Sequence, residues 1–165
     1  MKYEIRPIKR DEIPLLQNFL YEAVYQKDEN DPIPRSIIEE PEINAYIKDF
    51  GAGKDDHCLV AESEGELVGA VWTRILSDPV KGFGNLDAQT PEFAISLDKA
   101  HRGKGIGTQL MKQMLDLLRE NGYKRASLSV QKENYAIDVY RKVGFSILDE
   151  NAEDYIMVCD LAGEK

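Results

Sequence analysis

The sequence predicts an α/β protein built on a mixed β-sheet with helices on both faces. Two observations support this fold class: strand and helix patterns alternate through the second half of the chain, and two strand patterns in the middle form a hairpin. The chain has 165 residues, of which 42% are hydrophobic and 31% are charged, which suits one globular domain over residues 1–165.

In the first half, local patterns predict a strand, two helices and the hairpin, in that order. Asp11 is suited to cap the first helix, in which apolar residues recur at helical spacing, and Gly51 and Gly53 are suited to end the second. The predicted bounds are strand 3–7, helix 11–23, loop 27–34, a helix from Ser36 or Pro41 to 50, and strands 58–62 and 67–76.

In the second half, a long loop precedes the alternating elements. Residues 77–91 contain two glycines and two prolines, and a loop of this length in a small domain is often functional. Gly122 and Gly144 are suited to end the two helices. The predicted bounds are strand 93–97, a helix from the next glycine-rich turn to about 121, strand 126–130, helix 134–142, and strands 145–148 and 155–159.

The composition limits the function classes. The 21 Lys and Arg residues against 30 Asp and Glu residues give a net charge of −9, which disfavours general binding to nucleic acid or to an anionic membrane. No apolar run approaches the roughly 20 residues of a membrane helix, and the N-terminus lacks the apolar segment of a signal peptide. Cys58 and Cys159 are expected to be reduced thiols in strands. We therefore expect a cytoplasmic protein without a metal site.

The sharpest chemical feature is a glycine-rich turn between a predicted strand and a predicted helix. Alternate glycines let the backbone fold tightly and approach a ligand, and the free amides at a helix N-terminus attract anions such as a pyrophosphate. The spacing fits neither a P-loop nor a dinucleotide fingerprint, and three glycines alone also fit a plain structural turn. The turn consists of Arg102, Gly103, Lys104, Gly105, Ile106, Gly107 and Thr108.

A second pattern runs from Asn134 through Tyr140 to Gly144 and Phe145. Taken alone, it predicts a short amphipathic helix with a glycine cap, in which Tyr140 is a half-buried packing residue.

Together, in this order, the two patterns resemble the GNAT superfamily of N-acetyltransferases. The pyrophosphate motif of that family, Q/R-x-x-G-x-G/A, is matched by Arg102, Gly105 and Gly107, and the later Asn, Tyr and Gly-Phe pattern is matched by the second segment. The specific resemblance covers residues 92–145, whereas the N-terminal half matches only in the order of its elements. It implies a central, mostly antiparallel mixed sheet that splays between the fourth and fifth strands.

The resemblance also implies acetyl-CoA as the acyl donor. The pantetheine arm would pair with the main chain of Ile95 and Leu97 and fill the gap beside strand 126–130. The amides of residues 103–108 would bind the pyrophosphate, and Asn134 would hydrogen-bond the pantetheine arm.

The spacing of the second pattern departs from that of many family members. Asn134 lies six positions before Tyr140, where many members have seven, so Lys132 or Glu133 is an alternative neighbour of the cofactor.

The implied reaction is direct attack of an amine on the thioester in a ternary complex. Tyr140 would lie near the sulfur and act as general acid, and a strand N–H near Leu97 would stabilise the oxyanion. Glu92 is either the general base or a solvated carboxylate at a strand end, and waters are an alternative to it. His57 and Cys58 are not expected to form a nucleophile pair, because adjacent strand residues point to opposite faces.

The acceptor is expected to be a primary amine of a small molecule or a peptide. An acidic stretch would attract a cationic amine, although such a stretch is also typical of a solvated face. No nucleic-acid or membrane partner is expected, and a homodimer is the default assembly. The alternative function is a catalytically inactive acyl-CoA-binding regulatory module. The acidic residues are Asp28, Glu29, Asp31, Glu39, Glu40 and Glu42, and the candidate wall residues are Tyr21, Tyr25, Tyr46, Trp72 and Tyr155.

Overall fold

A computed structural model describes residues 2–26, 28–76 and 81–162 of the chain, so parts of the loops predicted at 27–34 and 77–91 lie outside the described residues. The strands are β1 (Glu4–Pro7), β2 (His57–Ser63), β3 (Glu66–Arg74), β4 (Glu92–Leu97), β5 (Arg125–Gln131), β6 (Ser146–Glu150) and β7 (Asp154–Asp160). The α-helices are α1 (Leu16–Ala23), α2 (Pro41–Asn44), α3 (Ile106–Glu120) and α4 (Ile137–Lys142). Short 3-10 helices cover Arg10–Leu15, Arg35–Glu39 and Lys99–His101.

The strands form one sheet in the order β1-β2-β3-β4-β5-β7-β6. Neighbouring strands are antiparallel except β4 and β5, which are parallel. The predicted fold class, a mixed and mostly antiparallel sheet, is therefore confirmed. Among the described residues, no helix has the length and apolar character needed to cross a membrane.

Two hydrophobic cores cover the two faces of the sheet, because side chains alternate along each strand. On one face, Phe93 of β4 packs with the apolar side of α3 and with Ile137 of α4. On the other face, Ala94 packs against the core that holds α1, and the Ser96 hydroxyl donates a 2.7 Å hydrogen bond to the Phe19 carbonyl of α1. Both cysteines are buried thiols in strands, as predicted, with Cys58 in β2 and Cys159 in β7.

The predicted start of the first helix is wrong. Asp11 lies inside a 3-10 helix that precedes α1. Pro14 has no N–H to donate within this helix, and the Glu12 carboxylate accepts bonds from Arg6 at 2.9 and 2.8 Å and from the Lys9 amide at 2.8 Å. These contacts stabilise the first turn of the 3-10 helix without a hydrogen bond from the Asp11 side chain.

The second predicted helix begins at Pro41, one of its two predicted starts, but its predicted end at Gly51 and Gly53 is wrong. The chain forms a 3-10 helix, breaks at Glu40, and then forms only the single turn of α2. Glu40 has φ −63° and ψ 133°, which is the extended conformation that a residue before proline prefers.

Arg74 ties the irregular segment after α2 to the sheet. Its guanidinium donates to the Ala45 carbonyl at 2.9 Å and to the Lys48 carbonyl at 2.8 Å, and it pairs with Asp56 at 2.9 Å. The Trp72 indole N–H donates to the Tyr46 carbonyl at 3.0 Å. These bonds hold Tyr46 against the sheet beside strands β3 and β4.

Candidate active site

A cleft opens between β4 and β5, where parallel pairing stops after one position. Within the described strands, they are in register at Glu92–Ser127, where the Ser127 amide donates to the Pro91 carbonyl at 2.9 Å. β5 continues instead along β7, with which it pairs over its whole length. The splay predicted between the fourth and fifth strands is present in the structure.

The edge of β4 that faces the cleft carries the main-chain groups of Ile95 and Leu97. Backbone groups alternate between the two edges of a strand, and the Asp98 amide bonds the Val68 carbonyl of β3 at 2.8 Å. The odd-numbered residues therefore direct their N–H and C=O groups towards β5. The sequence prediction had placed the same two residues at this edge.

The glycine-rich turn ends the cleft at the N-terminus of α3. Gly103 and Gly105 have φ values of +75° and +86°, which side-chain-bearing residues rarely adopt. The Gln109 amide donates to the Gly105 carbonyl at 3.2 Å, which begins the hydrogen-bond pattern of α3. The amides of residues 106–108 precede it, as expected for an anion site at a helix N-terminus.

Arg102 is engaged in two contacts across the turn. Its Nε donates to the Leu97 carbonyl at 3.1 Å, and its guanidinium pairs with Glu22 of α1 at 3.3 Å. Arg102 therefore joins the end of β4 to α1, and Lys104 is a second exposed cation of the turn. Arg102 matches the pyrophosphate motif named above, and nothing in the sequence pattern indicates its contact with Glu22.

Tyr140 lies on α4, on the α3 side of the sheet. Its ring meets Phe145 edge to face at 6.4 Å between centroids, and Phe145 in turn meets Phe93 of β4 at 5.5 Å. Burial raises the pKa of the Tyr140 phenol to about 12, so it stays protonated at neutral pH.

Asn134 lies in the turn before α4, whose N-cap is Ala136. Its side-chain oxygen accepts a 2.9 Å bond from the Ala136 amide, and its own carbonyl accepts from the Ile137 amide at 3.2 Å. The helix therefore begins at Ile137 rather than at Asn134. The side-chain NH₂ group is the part that remains to donate to a ligand.

Glu92 is 3% exposed, so the reading of it as a solvated carboxylate at a strand end is wrong. Its Oε2 accepts hydrogen bonds from the Tyr46 hydroxyl and, at 2.9 Å, from the Gly84 amide. Its Oε1 is buried without a hydrogen-bond partner in the described part of the chain. Burial raises the pKa of this carboxyl to about 7, against the opposing effect of the two donors.

The loop before β4 lies directly on Glu92. A Cβ atom at Gly82 would lie 1.9 Å from Oε1, and one at Gly84 would lie 2.8 Å from the Leu128 carbonyl carbon. At Gly84 a side chain would meet the backbone of β5, so the loop approaches there only with glycine, whereas at Gly82 it would displace the Glu92 carboxylate. Sequence reasoning missed this contact, although the two glycines in a long loop were a signal for it.

The residues predicted to line the acceptor pocket or to attract the acceptor differ in how far they are buried. Trp72 is fully buried and belongs to the core, whereas Tyr21, Tyr25 and Tyr155 are half-buried. The acidic residues between Asp28 and Glu42 named above are all exposed.

His57 and Cys58 lie on opposite faces of β2, as predicted. His57 contacts Tyr123, whereas Cys58 packs in the core beside α1.

Several known proteins resemble this chain in sequence. The chain matches the acetyltransferase (GNAT) family model over residues 21–145. It is 31% identical to N-acetyltransferase 8 of Rattus norvegicus over 68% of this chain and 47% of that protein. It is 28% identical to spermidine N(1)-acetyltransferase of Escherichia coli (strain K12) over 93% of this chain and 78% of that protein. The chain spans less than half the length of several curated relatives, including the rat and mouse N-acetyltransferase 8 proteins.

Solved structures share the fold at low sequence identity. An N-acetyltransferase from Staphylococcus aureus Mu50 superposes with a TM-score of 0.70 and 19% identity over 98% of this chain and 99% of that chain. The PaiA N-acetyltransferase from Thermoplasma acidophilum, in complex with coenzyme A, superposes with a TM-score of 0.67 and 20% identity over 97% and 99%. Because the family model covers more than half of its residues, this chain belongs to the GNAT family of acetyltransferases.

Proposed function

We propose that the chain is an acetyl-CoA-dependent N-acetyltransferase that acts on a primary amine of a small molecule or a peptide. The observation that carries the proposal is the open edge of β4, which ends at the N-terminus of α3. An extended pantetheine arm fits a strand edge, and a pyrophosphate fits the helix N-terminus. The fold is shared with a protein solved in complex with coenzyme A, which supports this choice of cosubstrate.

The main chain of Ile95 and Leu97 would bind the pantetheine arm, and the amides of the turn at residues 103–108 would bind the pyrophosphate. Lys104 would add positive charge, and Arg102 would hold the turn against the end of β4. The NH₂ group of Asn134 would donate to the arm from the opposite side of the cleft.

The chemistry begins with an acceptor that is mostly an ammonium ion, because an alkyl amine has a pKa of about 10.4. Glu92, whose pKa of about 7 suits a general base at neutral pH, would take the proton directly or through water. The amine lone pair then forms the C–N bond and an oxyanion, and the C–S bond breaks as the carbonyl re-forms. The second proton that the nitrogen loses replaces the one that Tyr140 gives to sulfur. The Leu97 N–H would stabilise the oxyanion, and Tyr140 would donate to the departing sulfur.

The acceptor would reach Glu92 from the face that carries α1 and α2. The exposed acidic residues Asp28, Asp31 and Glu39 lie on the segment between these helices and would attract a cation. The similarity to a spermidine acetyltransferase over 93% of the chain supports placing polyamines first among the amines to be tested.

The proposal is tested by incubating the protein with acetyl-CoA and a panel of amines: polyamines, amino acids, aminoglycosides and a lysine peptide. The release of free CoA thiol is measured against a reaction without acceptor. We expect acceptor-dependent release with at least one amine class, and mass spectrometry should find that amine heavier by one acetyl group. Binding of acetyl-CoA without transfer to any amine would contradict the proposal and favour the acyl-CoA-binding module.

A further inference from the structure

The two carboxylate oxygens of Glu92 lie in different surroundings. Oε2 accepts hydrogen bonds from the Tyr46 hydroxyl and the Gly84 amide, whereas Oε1 is buried without a partner in the described residues. A proton on Oε2 would compete with both donors, so an incoming proton settles on Oε1. The carboxyl group thus has one oxygen that is held by hydrogen bonds and one that can accept a proton.

The Tyr46 hydroxyl has its direction fixed by a second hydrogen bond. It accepts from the Phe83 amide at 2.9 Å, so its own proton points to Glu92. The ring stacks on Phe83 with 6.4 Å between centroids and 9° between planes. The Trp72 indole holds the Tyr46 carbonyl at 3.0 Å, which anchors the backbone as well.

The second donor to Oε2 is also fixed. The Gly84 carbonyl accepts a 2.8 Å bond from the Ser127 hydroxyl, which ties Gly84 to β5 while its amide donates to Glu92. This contact lies at the Glu92–Ser127 position, where the cleft between β4 and β5 begins. The hydrogen bonds to Oε2 therefore lie where the proposed cofactor cleft begins.

Among the described residues, the elements packed against Glu92 contribute few charges to this site. On β3, Arg74 stands opposite Glu92 in register, but its guanidinium is bonded to Asp56 and to two carbonyl groups. On β5, the paired residue is the neutral Ser127, and the segment after α2 contributes the Tyr46 phenol. Tyr46 is therefore the titratable side chain placed to stabilise the ionised form of Glu92.

We propose that Tyr46 is the positioning residue of Glu92: it occupies Oε2 and leaves Oε1 to take the proton of the acceptor amine. The inference rests on the proposed function. The ammonium loses one proton to Oε1, directly or through one water, and its lone pair becomes available to form the C–N bond. The neutral carboxyl then returns the proton to solvent after the product leaves.

The test compares the Tyr46→Phe variant with the wild-type enzyme. Phenylalanine keeps the stacked ring and removes the donor to the ionised carboxylate, so the pKa of Glu92 rises by about one unit. The acidic limb of the kcat/KM profile should move up by about one pH unit, with about a fivefold loss at pH 7 that recovers by pH 9. The control is Tyr123→Phe, which removes a hydroxyl bonded to Asp55 on another part of the fold and should leave the limb unchanged.

A second readout does not depend on an acceptor. The side-chain carboxyl of Glu92 is titrated by ¹³C NMR in wild type and Tyr46→Phe, with Glu92→Gln used to identify its signal. A higher titration midpoint in Tyr46→Phe supports the positioning role, and an equal or lower midpoint overturns it. Failure to acetylate any amine would overturn the proposed function instead, so the two failures are distinguishable.

Discussion

A Tyr140→Phe variant should lose about a hundredfold in turnover while its affinity for acetyl-CoA is nearly unchanged. General acid–base groups contribute about 10²–10⁴-fold to enzymatic rates. A phenol with a pKa of about 12 is a weaker acid than a thiol of pKa about 8.5, so full proton transfer to sulfur is uphill and we expect the lower end of that range. The ring contact with Phe145 is retained, so folding should be preserved.

The matched control for Tyr140→Phe is Tyr135→Phe, because Tyr135 is 79% exposed on the same segment. Its turnover should equal that of the wild-type protein. Steady-state kinetics with varied acetyl-CoA separate the effect on turnover from the effect on binding. Equal turnover in Tyr140→Phe and wild type would remove Tyr140 from the mechanism.

Glu92→Gln should lower kcat/KM at pH 8 by about a hundredfold and abolish the acidic limb of the pH profile near pH 7. The amide keeps the shape of the side chain but cannot take a proton. The measurement is the pH dependence of kcat/KM in both proteins. Full activity with an unchanged acidic limb in the variant would show that the base is a different group or a chain of waters.

The same residue makes a prediction about stability that is independent of catalysis. The pKa of Glu92 is raised from 4.5 to about 7 in the folded protein, so the folded state binds the proton more tightly than the unfolded state does. The stabilisation is complete below about pH 4.5 and is lost as the pH rises through 7. Between pH 4.5 and 8, the free energy of unfolding of the wild-type protein should fall by about 3 kcal/mol more than that of Glu92→Gln, as measured with denaturant. If the free energy of unfolding changed with pH in the same way in both proteins, the raised pKa of Glu92 would be contradicted.

Much of the fold could be predicted because it depends on local patterns. The hairpin around Gly65 and the long amphipathic α3 follow from alternation and helical spacing, and both are present. The first half was harder to predict because single residues override propensity there. Pro14 and the Arg6–Glu12 contact replace the expected Asp11 cap, and Pro41 interrupts the second helix.

The candidate site could be predicted only where its residues are close in sequence. The turn from Arg102 to Thr108 forms a strand–turn–helix unit that can be recognised from spacing alone. The contact between Tyr46 and Glu92 joins positions 46 residues apart and depends on how the segment after α2 folds onto the sheet. Burial of Glu92 by Gly82 and Gly84 is a tertiary effect of the same kind, so the sequence left its solvation undecided.

The most direct test of the account is the thermal midpoint of the protein with and without acetyl-CoA, in wild type, Lys104→Glu and Lys112→Glu. Both variants change the net charge equally, but Lys104 lies in the turn and Lys112 on the exposed side of α3. A ligand at about 100 times its Kd adds about 2.7 kcal/mol, which corresponds to a rise of about 5–11 °C for a domain of this size. We expect that rise in wild type and Lys112→Glu and a smaller rise in Lys104→Glu. An unchanged midpoint in wild type at saturating acetyl-CoA would contradict the assignment of the β4–α3 cleft as the cofactor site.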